Sequence, residues 1–149
     1  MKMILFFLLS LTLTSCSQYA SNASTQVTKS VTTETSIFTY DVSPTSYAQP
    51  AASVSGVFFW KEGCIYLLDN GEYRTALFPS LPKGIFKWDE ATKTLNLEGH
   101  IFKMGDKIVT NGGWLTYVPN SNGDKALEAQ GDKKCLTPSL TMIGTSSLK

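Results

Sequence analysis

Three cysteines and a single histidine bound the chemistry open to this 149-residue chain. Cys16, Cys64 and Cys135 include no Cys-x-x-Cys spacing, so a dithiol redox motif is absent from the sequence. His100 stands alone, which excludes a zinc site built on several histidines and the His-Glu-x-x-His pattern. It follows Gly99 at the start of a strand-like stretch and reads as a strand-end surface residue, not as a general base or part of a Ser-His-Asp triad. No Gly-x-Ser-x-Gly elbow, phosphate-binding glycine loop or calcium loop occurs. Gly112-Gly113 reads as a turn, since no helix follows to offer its N-terminus to a phosphate. Asp89 and Glu90 fall in a turn, where solvation accounts for a carboxylate pair better than acid–base work does. The sequence therefore assigns no catalytic residue, no metal site and no cofactor.

The third cysteine belongs to a different chemistry. Lys2 supplies a positive start, Met3 to Leu13 form an apolar run of about eleven residues, and small residues follow. Such a run is a signal peptide, too short for the ~20 apolar residues of a permanent membrane helix. Its end, Leu13-Thr14-Ser15-Cys16, resembles the bacterial lipobox at all four positions. That resemblance to bacterial lipoprotein precursors implies cleavage before Cys16, a diacylglyceryl group on its thiol and acylation of the new amino terminus, commonly with palmitate. Two or three acyl chains make a stable membrane anchor, because a single chain binds only marginally. In that family an Asp after the Cys favours inner-membrane retention. Ser17 stands there, which implies outer-membrane attachment facing the periplasm.

The anchored chain divides by composition into a signal peptide (1–15), a Ser/Thr-rich tether (16–53), a folded domain (54–144) and a short tail (145–149). The tether lacks periodic apolar residues and cannot bury enough surface to offset chain entropy. As a coil it spans roughly 30–36 Å. Ile37 to Val42 alternates and carries two aromatics, which leaves a docked strand open beside the preferred reading of a partly ordered linker. The net charge is +1, with both signs scattered, so neither nucleic acid nor an anionic membrane surface is an expected partner.

Beyond residue 53 the signals are those of strands. Val54 to Trp60, Cys64 to Leu68, Tyr73 to Phe78, Ile85 to Trp88, Thr94 to Leu97, His100 to Met104, Lys107 to Thr110, Trp114 to Val118 and a segment within Cys135 to Ile143 recur at short intervals between turns. Asn70-Gly71 is the strongest hairpin signal, and Lys125 to Gln130 fits one helical turn. The expected fold is all-β, a small closed or partly open antiparallel barrel, OB-like or SH3-like. Parallel pairing is not expected, because no amphipathic crossover helix of about ten residues is present. Cys64-Ile65-Tyr66-Leu67-Leu68 is apolar on both faces and demands cover on both.

With Cys16 committed to lipid, Cys64 and Cys135 form an even pair in an oxidising compartment and are expected to be disulfide-bonded. The order of turns and strands from Gly63-Cys64 through Gly105-Asp106 to Cys135 also resembles small, uncharacterised bacterial lipoprotein and periplasmic β-domains. This second resemblance implies fold and compartment and brings no activity. Aromatic residues exceed what one barrel face needs, and consecutive Phe58-Phe59-Trp60 must alternate in direction, so at least one faces outward or lies under a loop. Core packing is the leading reading of these rings, and an outward patch serving as a partner or glycan surface stays open beside it. The leading functional expectation is a non-catalytic binding or adaptor module of the cell envelope with a protein partner. An inhibitor of a lysozyme-like enzyme comes second, since the Ser-Gly-x-x-Tyr loop of the known membrane-bound inhibitors is missing. A cell-wall hydrolase comes last.

Overall fold

The computed structural model describes residues 34–41, 52–146 and 148, so the expected signal peptide, Cys16 and most of the expected tether lie outside the described residues. In chain order the elements are β1 (Phe38–Tyr40), β2 (Ala52–Lys61), β3 (Cys64–Asp69), β4 (Glu72–Pro79), β5 (Phe86–Asp89), β6 (Thr94–Leu97), β7 (His100–Lys103), β8 (Lys107–Thr116), α1 (Lys125–Glu128), a 3₁₀ turn (Lys133–Cys135) and β9 (Ser139–Ile143).

Five of these strands close a barrel. β2 pairs antiparallel with β3 and with β8, β3 with β4, and β8 with β9. The ring is completed by a parallel pairing of β4 Thr75–Leu77 with β9 Leu140–Met142. With the barrel strands numbered one to five along the chain, the order around the ring is 1-2-3-5-4. That is the arrangement of a five-stranded Greek-key barrel, the OB-like of the two expected forms. Closure leaves β4 and β9 without the free edges that template aggregation.

Parallel pairing is thus a correction to the sequence reading, and β1 adds a second case by lying parallel to Leu77–Pro79 of β4. A parallel pair needs a long crossover, not specifically a helical one. Between β4 and β9 the crossover consists of the three-stranded antiparallel sheet β5–β6–β7, strand β8 and the 117–138 segment. A sheet with an apolar inner face does the covering work that a helix does elsewhere.

Alternation along the strands sorts the apolar residues into two cores. Val54, Phe58, Ile65, Leu67, Ala76, Phe78, Ile108 and Ile143 form the first, joined by Leu95, Leu97 and Phe102 from the small sheet. Phe58 contacts both partners, with ring centroids 6.3 Å from Phe78 and 5.5 Å from Phe102. The intervening residues Cys64 and Leu77 face the other way, into a second core with Phe38, Tyr117, Cys135, Leu136 and Leu140. Here is the double cover that the apolar β3 strand demanded.

Both ends of the domain extend past the expected 54–144. Phe38, placed by the sequence reading in a linker, is 2% exposed. Its strand lies where β3 and β4 part: their pairing ends at Tyr66 opposite Thr75, while Ser36 bridges to Cys64 and Phe38 pairs with Leu77. Tyr40 fastens the end of this strap by donating from its hydroxyl to the Ile143 carbonyl, 3.0 Å away. Burial pushes the Tyr40 phenol up to about 12. At the other end Thr145 is buried, and Leu148 packs on the first core, so the expected tail is part of the fold. Cys135 sits in the 3₁₀ turn, and the last strand begins only after Pro138.

The two glycine signals have different outcomes. Asn70 and Gly71, with φ of 49° and 84°, make the tight connection expected between Asp69 and Glu72. Gly112-Gly113 is no turn: both lie inside the continuous β8, opposite Ile143 and Met142. A Cβ at Gly112 would press on the Met142 carbonyl and stand 2.7 Å from Val54 Cγ2. The glycine is there because neighbouring strands approach too closely for a side chain. Gly112→Ala is therefore expected to cost about 1–3 kcal/mol through overpacking, read as a lowered urea midpoint. At a surface turn the same change would be near neutral.

Candidate binding surface

The outer face of β2–β3–β4 carries a row of three aromatic rings. Phe59 and Tyr66 are direct cross-strand neighbours, and Tyr73 comes from the next strand. Tyr73 lies 5.2 Å from Phe59 and 5.7 Å from Tyr66 between ring centroids, the latter edge-to-face. Such pairs hold the rings in place through their mutual contacts. Tyr73 is 43% exposed, and the other two are half-buried. Of Phe58-Phe59-Trp60, the residue that faces outward is Phe59, while Phe58 points into the barrel. No spacing in the sequence groups Phe59 with Tyr66 and Tyr73, because that grouping depends on strand register.

Charged residues from two loops rim the row. Burial raises the Tyr66 phenol above its ordinary value, the Glu62 and Asp132 charges push the same way, and Lys134 opposes them. Glu62 belongs to the β2–β3 turn. Asp132 and Lys134 belong to the loop leading into Cys135, where Asp132 Oδ1 accepts from Lys134 N at 3.0 Å. That loop is pinned to the barrel wall. Thr75 Oγ1 donates to the Cys135 carbonyl at 2.6 Å, and Thr137 N donates to Thr75 Oγ1 at 2.9 Å. The Cys64–Cys135 disulfide forms as expected, with the Cα atoms 5.3 Å apart.

The other sequence-singled residues fill structural positions. His100 is exposed at the start of β7, opposite Leu97. Asp89 Oδ1 accepts from the Ala91 and Thr92 amides, both at 2.9 Å, and the Thr92 amide bond is the main cause holding its carboxyl below the usual range. Among the described residues no group of three or more His, Cys, Asp or Glu could hold a metal ion. Comparison with family models, curated proteins and solved structures finds no match for this chain. Function must therefore be argued from the surface itself.

Solvation does not describe the role of Glu90. It pairs with Lys93, and its Oε2 accepts from Trp88 Nε1 at 2.6 Å and from Thr35 N at 3.3 Å. Lys93 Nζ lies 4.3 Å from the centroid of Trp60 and 5.9 Å from that of Trp88, a cation held between two indoles. Trp60 Nε1 in turn donates to Thr35 Oγ1 at 2.9 Å. The cluster thereby ties the start of the N-terminal strap to β2 and to the β5–β6 turn. Burial alone would raise the Glu90 carboxyl, but hydrogen bonds from Lys93, Thr35 and Trp88 outweigh it and hold the group at about 2. It stays ionised at neutral pH and cannot act as a general acid.

Glu128 is similar. It is held at about 2, first by Lys133 and then by the Asn120 amide and the Tyr117 hydroxyl. Both carboxyls have folded values below 4.5, their ordinary value, so the folded state binds fewer protons than the unfolded one. Their contribution is fully present above pH ~4.5 and is lost as pH falls through ~2. The thermal midpoint is expected to decline across that window, and Glu90→Gln with Glu128→Gln to flatten the decline. A midpoint equally steep in the double variant would contradict the assignment.

Proposed function

We propose that this protein is a lipid-anchored, periplasm-facing binding module of the cell envelope. Acylated Cys16 holds it to the outer membrane, the tether lets the barrel range from the surface, and a protein partner docks on the Phe59–Tyr66–Tyr73 face. The observation that carries the reading is that row of rings, mutually packed and partly exposed on a rigid barrel wall. Tyrosine and phenylalanine on a fixed scaffold are enriched at protein interfaces, because they offer large contact area at small entropic cost. The charged rim of Glu62, Asp132 and Lys134 gives the partner polar contacts around an apolar centre. The module acts by binding and is not catalytic.

Mild crosslinking in intact cells, followed by capture of the tagged full-length protein, tests this. One reproducible envelope protein is expected, lost or much reduced when Cys16→Ala removes the anchor. No captured protein with either form, or a wild-type chain found in the soluble fraction, would overturn it. Inhibition of lysozyme by the purified protein would move the reading to the enzyme-inhibitor alternative.

A further inference from the structure

The strap and the disulfide are neighbours through a single atom. Ser36 N donates to the Gly63 carbonyl at 2.8 Å, and Cys135 Sγ lies 3.7 Å from that same oxygen. Phe38 shares the second core with Cys64 and Cys135, and the three are 2%, 2% and 0% exposed. The loop entering Cys135 also touches the strap, since a Cβ on Gly131 would stand 2.7 Å from Ser36 Cβ and 3.2 Å from Phe38 Cζ. A thiolate must reach a disulfide sulfur directly to react with it. With the strap docked, it has no approach.

The strap is fastened from inside by Phe38 and Tyr40 and from outside by the loop before Cys135. Gln130 makes three exposed hydrogen bonds to Thr39, at 2.6, 3.1 and 3.2 Å, and Asp132 N donates to Ser36 Oγ at 2.9 Å, also exposed. Backbone pairing with β4 covers only three residues, Phe38–Tyr40. Barrel closure pairs Thr75–Leu77 with Leu140–Met142, and of these six residues only Leu77 also pairs with the strap, at Phe38. Phe38 is its one fully buried ring, and a six-residue segment with three ladder pairs opens at lower cost than the whole domain.

We propose that Thr35–Tyr40 is a gate over the Cys64–Cys135 disulfide, so that a dithiol reductant reaches the bond by undocking of the strap while the barrel stays folded. In the exchange one reductant thiolate attacks a protein sulfur, forms a mixed disulfide and releases the other cysteine as a thiolate. The second reductant thiol then displaces the first cysteine. Two electrons pass from the dithiol, which ends as a disulfide, and both cysteines end as thiols after proton uptake. The device goes beyond partner binding and does not depend on it.

The test is the reduction rate of the full-length oxidised protein by dithiothreitol. Free thiols at Cys64 and Cys135 are trapped by alkylation and assigned by peptide mass, across sub-denaturing urea. The wild type is expected to react at a rate that rises with urea far less steeply than global unfolding, since undocking six residues exposes only part of the surface that unfolding does. Gln130→Ala, which removes the three exposed bonds, is expected to react about five to ten times faster, and Phe38→Ala faster still. Gln130→Ala leaves the core untouched, so it decides the question even if Phe38→Ala fails to fold. A wild-type rate that rises with urea as steeply as global unfolding would overturn the gate. So would an unchanged rate in Gln130→Ala.

Discussion

Phe58→Ala is expected to lower the unfolding free energy by about 3–5 kcal/mol, while Phe59→Ala, one residue along, costs only about 1 kcal/mol. Phe58 is 0% exposed and its ring touches Phe78 of β4 and Phe102 of β7. Truncating it opens a cavity where the barrel meets the small sheet, in a place where neither can collapse without breaking its own ladder. Phe59 faces outward, and its loss removes ring contacts with Tyr73 at a partly solvated face. Urea titration of the two variants checks the difference. Equal costs would mean that the β2 register is wrong, since a slip of one residue exchanges the two faces.

Loss of the disulfide should have a comparable effect. Cys64 and Cys135 are 71 residues apart, and opening a loop of that length returns about 4 kcal/mol of chain entropy to the unfolded state, with 2–5 kcal/mol the usual measured range. The paired change Cys64→Ser and Cys135→Ser also leaves two hydroxyls in an apolar core beside Phe38 and Leu140. A lowered urea midpoint relative to the oxidised wild type is the expected result. Quantitative alkylation of both cysteines in unreduced, denatured protein would contradict the bond itself.

Several features were legible in the sequence because their physics is local. The Asn70-Gly71 turn, the strand spacing and the even cysteine pair each rest on a few adjacent residues or on counting. What was not legible depends on contacts distant in the chain. Phe38 is buried only because β3 and β4 diverge near Cys64 and Leu77, and nothing in Ile37 to Val42 announces that gap. Gly112-Gly113 has the composition of a turn, and only the approach of Val54 and Met142 explains its place inside a strand. Lys93 between Trp60 and Trp88 joins three segments whose juxtaposition no spacing rule supplies. The same holds for the Phe59–Tyr66–Tyr73 row: its members are ordinary strand aromatics until register sets them side by side.

The most direct measurement is capture after mild crosslinking in intact cells, comparing the full-length wild type with the double variant Phe59→Ala and Tyr73→Ala. Circular dichroism of the two proteins shows that the barrel is retained. The binding-module account predicts one discrete envelope adduct from the wild type and none from the double variant. The same adduct at the same yield from both would contradict the assignment of the aromatic face.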